Sequence, residues 1–132
     1  MGALLEIKDL QKTFKIKSFF GATTEVHALN GISLAIGKGE SLGIVGESGC
    51  GKSTLANLLI RLDEPTAGAI FLDGQNISHA KEKNLRKLRS RIQIVFQDPY
   101  SSLSPRMTVE QILTEPMRVA GDKTAEEMRK KA

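Results

Sequence analysis

The chain has 132 residues, a length that accommodates one domain. Hydrophobic residues at 40%, with 12 glycines besides, exclude a disordered polar chain, and 5% aromatics without tryptophan argue against a surface of stacking aromatics for nucleic acid. The net charge of +4 is local: of 19 basic and 15 acidic residues, Lys81–Arg91 holds six and one, which leaves 13 and 14 elsewhere.

Residues 4–10 alternate apolar with polar positions and predict a strand. Lys15 to Thr24, with Phe19 and Phe20 beside Gly21, reads as a loop or hairpin tip, and Val26 to Ile36 alternates again. Gly37-Lys38-Gly39 marks a turn, after which Ser41 to Val45 is a short apolar strand. Ser53 to Leu62 carries Leu55, Leu58, Leu59 and Leu62 at helical spacing, and Asp63-Glu64-Pro65 stops that helix. Ala69 to Leu72 is a strand closed by a hairpin turn at Asp73-Gly74. The basic stretch Lys81–Arg91 is helical in composition, with Leu85 and Leu88 as its apolar contacts, and reads as a solvated charged face. Ile92 to Phe96 is the next predicted strand, and Asp98 to Pro105 a polar loop. Thr108 with Gln111, and Thr124 with Glu127, each have capping-box spacing at the start of a helix. No run approaches the ~20 apolar residues of a membrane span. The single cysteine, Cys50, has no partner for an internal disulfide, so the expected setting is cytosolic and reducing.

The motif that carries chemistry lies between the strand ending at Val45 and the helix starting at Ser53. Gly46, Glu47, Ser48, Gly49, Cys50, Gly51, Lys52 and Ser53 match G-x-x-x-x-G-K-[ST] at every fixed position. Glycines let the backbone wrap a phosphate and aim successive N–H groups at its oxygens. The helix N-terminus adds a favourable dipole for an anion. Lys52 is expected to neutralise the β- and γ-phosphates, and the Ser53 hydroxyl to ligate Mg²⁺. Chance produces this pattern at ~1% across such a length, before its flanks are required. Cys50 within the loop satisfies a need for a small residue there, in preference to a redox role.

The motif with Thr54 after it, followed about 40 residues on by Val95, Phe96, Gln97, Asp98 and Pro99, resembles the ATP-binding subunit of ABC transporters. The run from Phe96 to Val109, with Glu115-Pro116 beyond it, is similar to the peptide and nickel importer branch, apart from Ser104, where that branch usually has Asn. The resemblance implies an α/β fold: a P-loop NTPase with an antiparallel β subdomain, truncated at the start of the helical subdomain. It divides the chain into a nucleotide-binding portion at 1–97 and the start of a helical subdomain at 98–132. It further implies that Gln97 contacts Mg²⁺ and the attacking water, and that Phe14 stacks on adenine, with Phe19 or Phe20 as competitors. The implied cofactors are ATP and Mg²⁺. The implied partners are a second ATP-binding subunit, transmembrane permease subunits and, indirectly, a substrate-binding protein, at the cytoplasmic side of the membrane and without nucleic acid.

Hydrolysis in that family also needs an acidic Mg²⁺ ligand with a catalytic glutamate after a later strand, a switch histidine and a Leu-Ser-Gly-Gly-Gln-like signature. None of these is found in the sequence, so it offers no catalytic residue. Asp73 comes too soon after the loop to be the acidic ligand, and His27 and His79 are expected at the surface. The expectation is therefore binding without efficient hydrolysis. A non-catalytic nucleotide-binding short protein and a different P-loop enzyme, such as a small-molecule kinase, are the alternatives.

Overall fold

A long antiparallel hairpin dominates the N-terminal part: β1 (Leu5–Lys17) pairs along its length with β2 (Thr23–Ile36). The other edge of β1 pairs with β3 (Ala67–Leu72), and β3 turns back into β4 (Gln75–Asn76), giving the sheet order β2-β1-β3-β4. In this computed structural model residues 2–18, 21–89, 91–98, 100–121 and 124–132 are described, so Phe19 and Phe20 lie outside the described residues. The chain forms two units, Met1–Lys81 and Glu82–Ala132.

β1 runs well past its predicted end at Leu10, and a bulge makes this possible. From Ile7 to Leu10 β1 advances three residues while β2 advances two, from Leu34 to Ile32. The extra residue is Asp9, held at φ 45°, a region that Asp tolerates better than most side chains. A strict two-residue period from Ile7 would put Asp9 in the core. The bulge skips it, so Ile7 and Leu10 are both buried. The Asp9 N–H donates to Ser33 Oγ at 2.8 Å. Gly31 and Gly68, at φ 80° and 84°, flank the bulge on the two neighbouring strands. A Cβ on Gly68 would collide with the Asp9 backbone, so this crossing needs glycine.

The turn between β3 and β4 has the predicted two residues, Asp73 and Gly74, both at positive φ (48° and 76°). That is the type I′ geometry whose twist suits a hairpin. Ile7, Leu10, Leu29, Ile70, Leu72 and Ile77 are buried in the first unit, each contributing about 1.5–3 kcal/mol relative to exposure. Ser78 is buried beside them, and its hydroxyl accepts the Ile70 N–H at 2.7 Å.

α1 (Lys52–Leu59) buries Leu55 and Leu58. It is shorter than its apolar spacing predicts: Ile60 is the C-cap, Arg61 stands at φ 58°, and Leu62 is left exposed. The Arg61 side chain is buried instead, and its guanidinium donates to the Asp63 carbonyl at 2.8 Å.

Two predicted strands do not form. Residues 41–45 and 92–96 join no ladder among the described residues. Leu42, Ile44, Val45, Val95 and Phe96 are exposed, with Val45 at 94% and Val95 at 89%, while Ile92 and Ile94 are half-buried. Their composition is that of parallel strands, which are stable only when neighbours pair on their edges and cover their faces.

In the second unit α2 (Glu82–Arg89) has Leu85 and Leu88 buried. A 3₁₀ turn (Tyr100–Ser102) follows, its start fixed by Asp98 Oδ1 accepting the Tyr100 N–H at 3.1 Å. α3 (Val109–Ala120) and α4 (Ala125–Lys131) both begin with the predicted capping boxes. Gly121 at φ 76° ends α3, and Arg129 Nε bonds Glu110 Oε1 at 2.8 Å between the two helices.

Candidate functional site

The phosphate-loop motif occupies an exposed turn that leads into α1. The Cys50 N–H donates to the Glu47 carbonyl at 3.4 Å, and Gly49 and Gly51 adopt φ 83° and 97°. Gly51 is the N-cap of α1, and no side chain caps the helix. The first intrahelical bond runs from the Leu55 N–H to the Gly51 carbonyl at 2.9 Å. The amides of Lys52, Ser53 and Thr54 precede it, and a first turn of this kind has no intrahelical acceptor for them. The first turn carries no acidic residue that would repel an anion.

Two close approaches fix this loop, and both depend on glycine. A Cβ on Gly51 would stand 2.6 Å from the Ala28 carbonyl oxygen and 2.9 Å from Leu29 Cδ2. Ala28 is itself an extra residue in β2: between the Lys12–Leu29 and Thr13–His27 pairs, β2 advances two residues and β1 one. That bulge brings the Ala28 carbonyl against the end of the loop. A Cβ on Gly46 would stand 2.6 Å from Cys50 Sγ, so the small Cys50 side chain closes on a residue without one. Gly49, by contrast, faces open space.

Lys52 folds back over the loop. Its Nζ donates to the carbonyls of Gly46 and Glu47 at 2.7 and 2.6 Å and lies 3.5 Å from Cys50 Sγ. These acceptors hold the ammonium across the loop's mouth, where phosphate oxygens can replace them. Glu47, Ser48, Gly49 and Cys50 are exposed, as is Ser53 in the first turn of α1, with Thr54 half-buried beside it. Among the described residues no group of three or more His, Cys, Asp or Glu could hold a metal ion. A single Ser53 hydroxyl suits Mg²⁺, which keeps several waters and takes much of its ligation from a nucleotide's phosphates.

Phe14 lies on β1 opposite Val26, in the same unit as the loop, and the two are 37% and 43% exposed. Residues paired directly across a ladder share one face, so Phe14 and Val26 present a small apolar surface to solvent. Lys12 carries no motif that marks it in the sequence, although its spacing of two from Phe14 is the strand period. Its Nζ stands 4.8 Å from the centroid of the Phe14 ring. His27 is exposed and its Nδ1 lies 3.0 Å from Thr13 Oγ1, while His79 is exposed as expected. Asp73 sits in the hairpin turn, with Lys38 Nζ 3.9 Å from its carboxylate.

Gln97 is an exposed residue at a bend in the second unit, directly after segment 92–96. Pro99, which completes the run from Val95, lies outside the described residues.

Known proteins bear on this geometry at three levels. The oligopeptide transport ATP-binding protein AppF of Bacillus subtilis is 47% identical over 131 residues, an alignment covering 97% of this chain and 40% of that protein. The dipeptide transport ATP-binding protein DppF of Escherichia coli is 42% identical over 130 residues, covering 98% of this chain and 39% of that protein. The chain thus spans about 40% of the length of these curated relatives. Among solved structures, a dimeric ATP-binding cassette in a post-hydrolysis state bound to ADP and Pi superposes with a TM-score of 0.77 at 32% identity, covering 96% of this chain and 53% of that one. The fold is thus that of an ATP-binding cassette, and a small-molecule kinase is set aside. With the ABC transporter family model matching residues 29–132 on top of the phosphate-loop geometry, the chain belongs to the ABC transporter family.

Proposed function

We propose that this chain binds ATP with Mg²⁺ as the phosphate-binding part of an ATPase that energises peptide import. The observation that carries the reading is the uncapped N-terminus of α1 behind a glycine loop, with the Lys52 ammonium drawn across its mouth. In the bound state the backbone amides from Gly46 to Thr54 cradle the phosphates, and Lys52 exchanges its carbonyl acceptors for phosphate oxygens. Ser53 supplies an oxygen ligand to Mg²⁺, which neutralises phosphate charge. Phe14 stacks on the adenine. The names of the relatives support peptides over nickel as the cargo. The complete machine has a second ATP-binding subunit and permease subunits, with a substrate-binding protein acting through them. Its ATP-binding parts lie at the cytoplasmic face of the membrane; among the described residues no helix is long and apolar enough to cross it. Residues 1–97 form the nucleotide-binding portion and 98–132 the start of the helical subdomain.

A direct test compares ATP binding by the chain and by Lys52→Ala. Loss of a charge-assisted hydrogen bond of about 1.5–3 kcal/mol weakens binding at least about tenfold. Equal affinity would refute the loop assignment. Because the sequence offers no candidate for the catalytic carboxylate, the chain should show no ATP turnover above that of Lys52→Ala, and robust Lys52-dependent turnover would overturn binding without hydrolysis.

A further inference from the structure

Lys12 makes two contacts at once. Its Nζ sits over the Phe14 ring, 4.8 Å from the centroid, and donates to the Glu64 carbonyl oxygen at 2.7 Å. That acceptor is not on a loose loop. The Thr66 N–H donates to the Gln11 carbonyl at 2.9 Å, and the Thr13 N–H donates to Thr66 Oγ1 at 2.9 Å. Arg61, buried at the end of α1, braces the same segment through the Asp63 carbonyl. The Lys12 ammonium is thus pinned by the segment that directly follows α1, the helix that begins at Lys52.

We propose that Lys12 is a positioning residue for the nucleobase. It holds one face of the Phe14 ring, so that the other face meets the base of a nucleotide whose phosphates lie at Lys52. The inference rests on the assignment of Phe14 to base stacking. An exposed Phe on a strand has rotamers to choose from, and ordering it on binding costs affinity. A cation over the ring removes that choice before the nucleotide arrives, and it draws π-density away from the face that meets an electron-rich purine. Lys12 touches no phosphate in this scheme, so its contribution belongs to the base alone.

The test measures the affinities of the full chain for MgATP and for inorganic tripolyphosphate with Mg²⁺, which has the phosphates and no base. Lys12→Met keeps the stem and removes the charge; Lys12→Arg restores a cation that can stack on the ring. An exposed cation–π contact corresponds to a two- to five-fold effect. Lys12→Met should therefore bind ATP about two- to five-fold more weakly, with tripolyphosphate unchanged, and Lys12→Arg should recover most of the loss. In a Phe14→Leu background, Lys12→Met should add nothing further. Equal loss for ATP and tripolyphosphate would overturn the proposal, since Lys12 would then act on the loop or the fold. Full additivity with Phe14→Leu would overturn it too. If Phe14→Leu leaves ATP affinity unchanged, the base-stacking reading fails and this proposal with it. If Phe14→Leu weakens ATP and Lys12→Met does not, only the role of Lys12 falls.

Discussion

The sheet and the phosphate loop both rely on glycines at positive φ, yet their surroundings are opposite. At the Asp9 bulge, Gly68 is walled in by backbone, because two strands cross there more closely than any Cβ permits. In the loop, Gly49 has the same φ to within a degree (83° against 84°) and nothing within 4 Å of where its Cβ would be. One glycine makes room for the protein's own backbone, and the other faces open space. Gly51 lies between these cases, facing the helix start on one side and the Ala28 carbonyl on the other. The comparison separates glycines whose loss should cost stability from those whose loss should cost binding.

The sharpest way to break that distinction is Gly68→Ala. Backbone atoms of Asp9 and Leu10 cannot yield as a side chain can, and the φ is strained for alanine besides. The expected loss is about 3 kcal/mol of stability, or failure to accumulate as folded protein, read from urea unfolding. A variant as stable as the parent would show that the bulge does not form in solution. Gly49→Ala is the counterpart. With open space around it only the φ penalty remains, about 1 kcal/mol. ATP affinity should nevertheless fall by more than that penalty implies, because the loop must keep this conformation to aim its amides. Calorimetric titration of ATP beside urea unfolding checks both halves, and a Gly49→Ala protein less stable than Gly68→Ala would reverse the comparison.

Local chemistry is legible in the sequence. The Asp73-Gly74 turn and both capping boxes are signals contained within a few residues, and all three appear where the sequence places them. The β1 strand is only half legible. Its continuation past Leu10 depends on the Asp9 bulge, which in turn depends on Gly31 and Gly68 lying on either side. Lys12 escapes a reading of the sequence for a related reason: the acceptor that pins it, Glu64, is 52 residues away. The segments 41–45 and 92–96 have the composition of strands, but a strand is a property of a pair. Among the described residues neither has a partner in a ladder.

A smaller effect probes local order in the second unit. Thr108 Oγ1 accepts the Gln111 N–H at 3.2 Å, and Gln111 Oε1 accepts the Thr108 N–H at 2.8 Å. Thr108→Ala removes one half of this box and should cost about 1 kcal/mol of α3 stability. Amide exchange over Val109–Ile112 is the suitable probe, since global unfolding of the first unit need not register it. Unchanged exchange there would show that the N-cap is not what sets the start of the helix.

The smallest expected effect concerns the unpaired apolar segments, and it tests the exposed side of the comparison. Val45 and Val95 have nearly all their surface in water. Replacing a valine by threonine alters one methyl to a hydroxyl with almost no change in volume. In a core that change leaves an unmet hydroxyl and is costly. At exposures of 94% and 89% it should fall within about ±0.5 kcal/mol, the range for surface substitutions. Urea unfolding of Val45→Thr and Val95→Thr at two protein concentrations reads this directly. A loss above about 1 kcal/mol at both would mean that these side chains are buried within the chain. A loss that grows with concentration would place them in a contact between copies, because only an intermolecular contact couples stability to concentration. Apolar residues exposed in a row are the feature most prone to such contacts, so agreement between the two concentrations is the stricter part of the test.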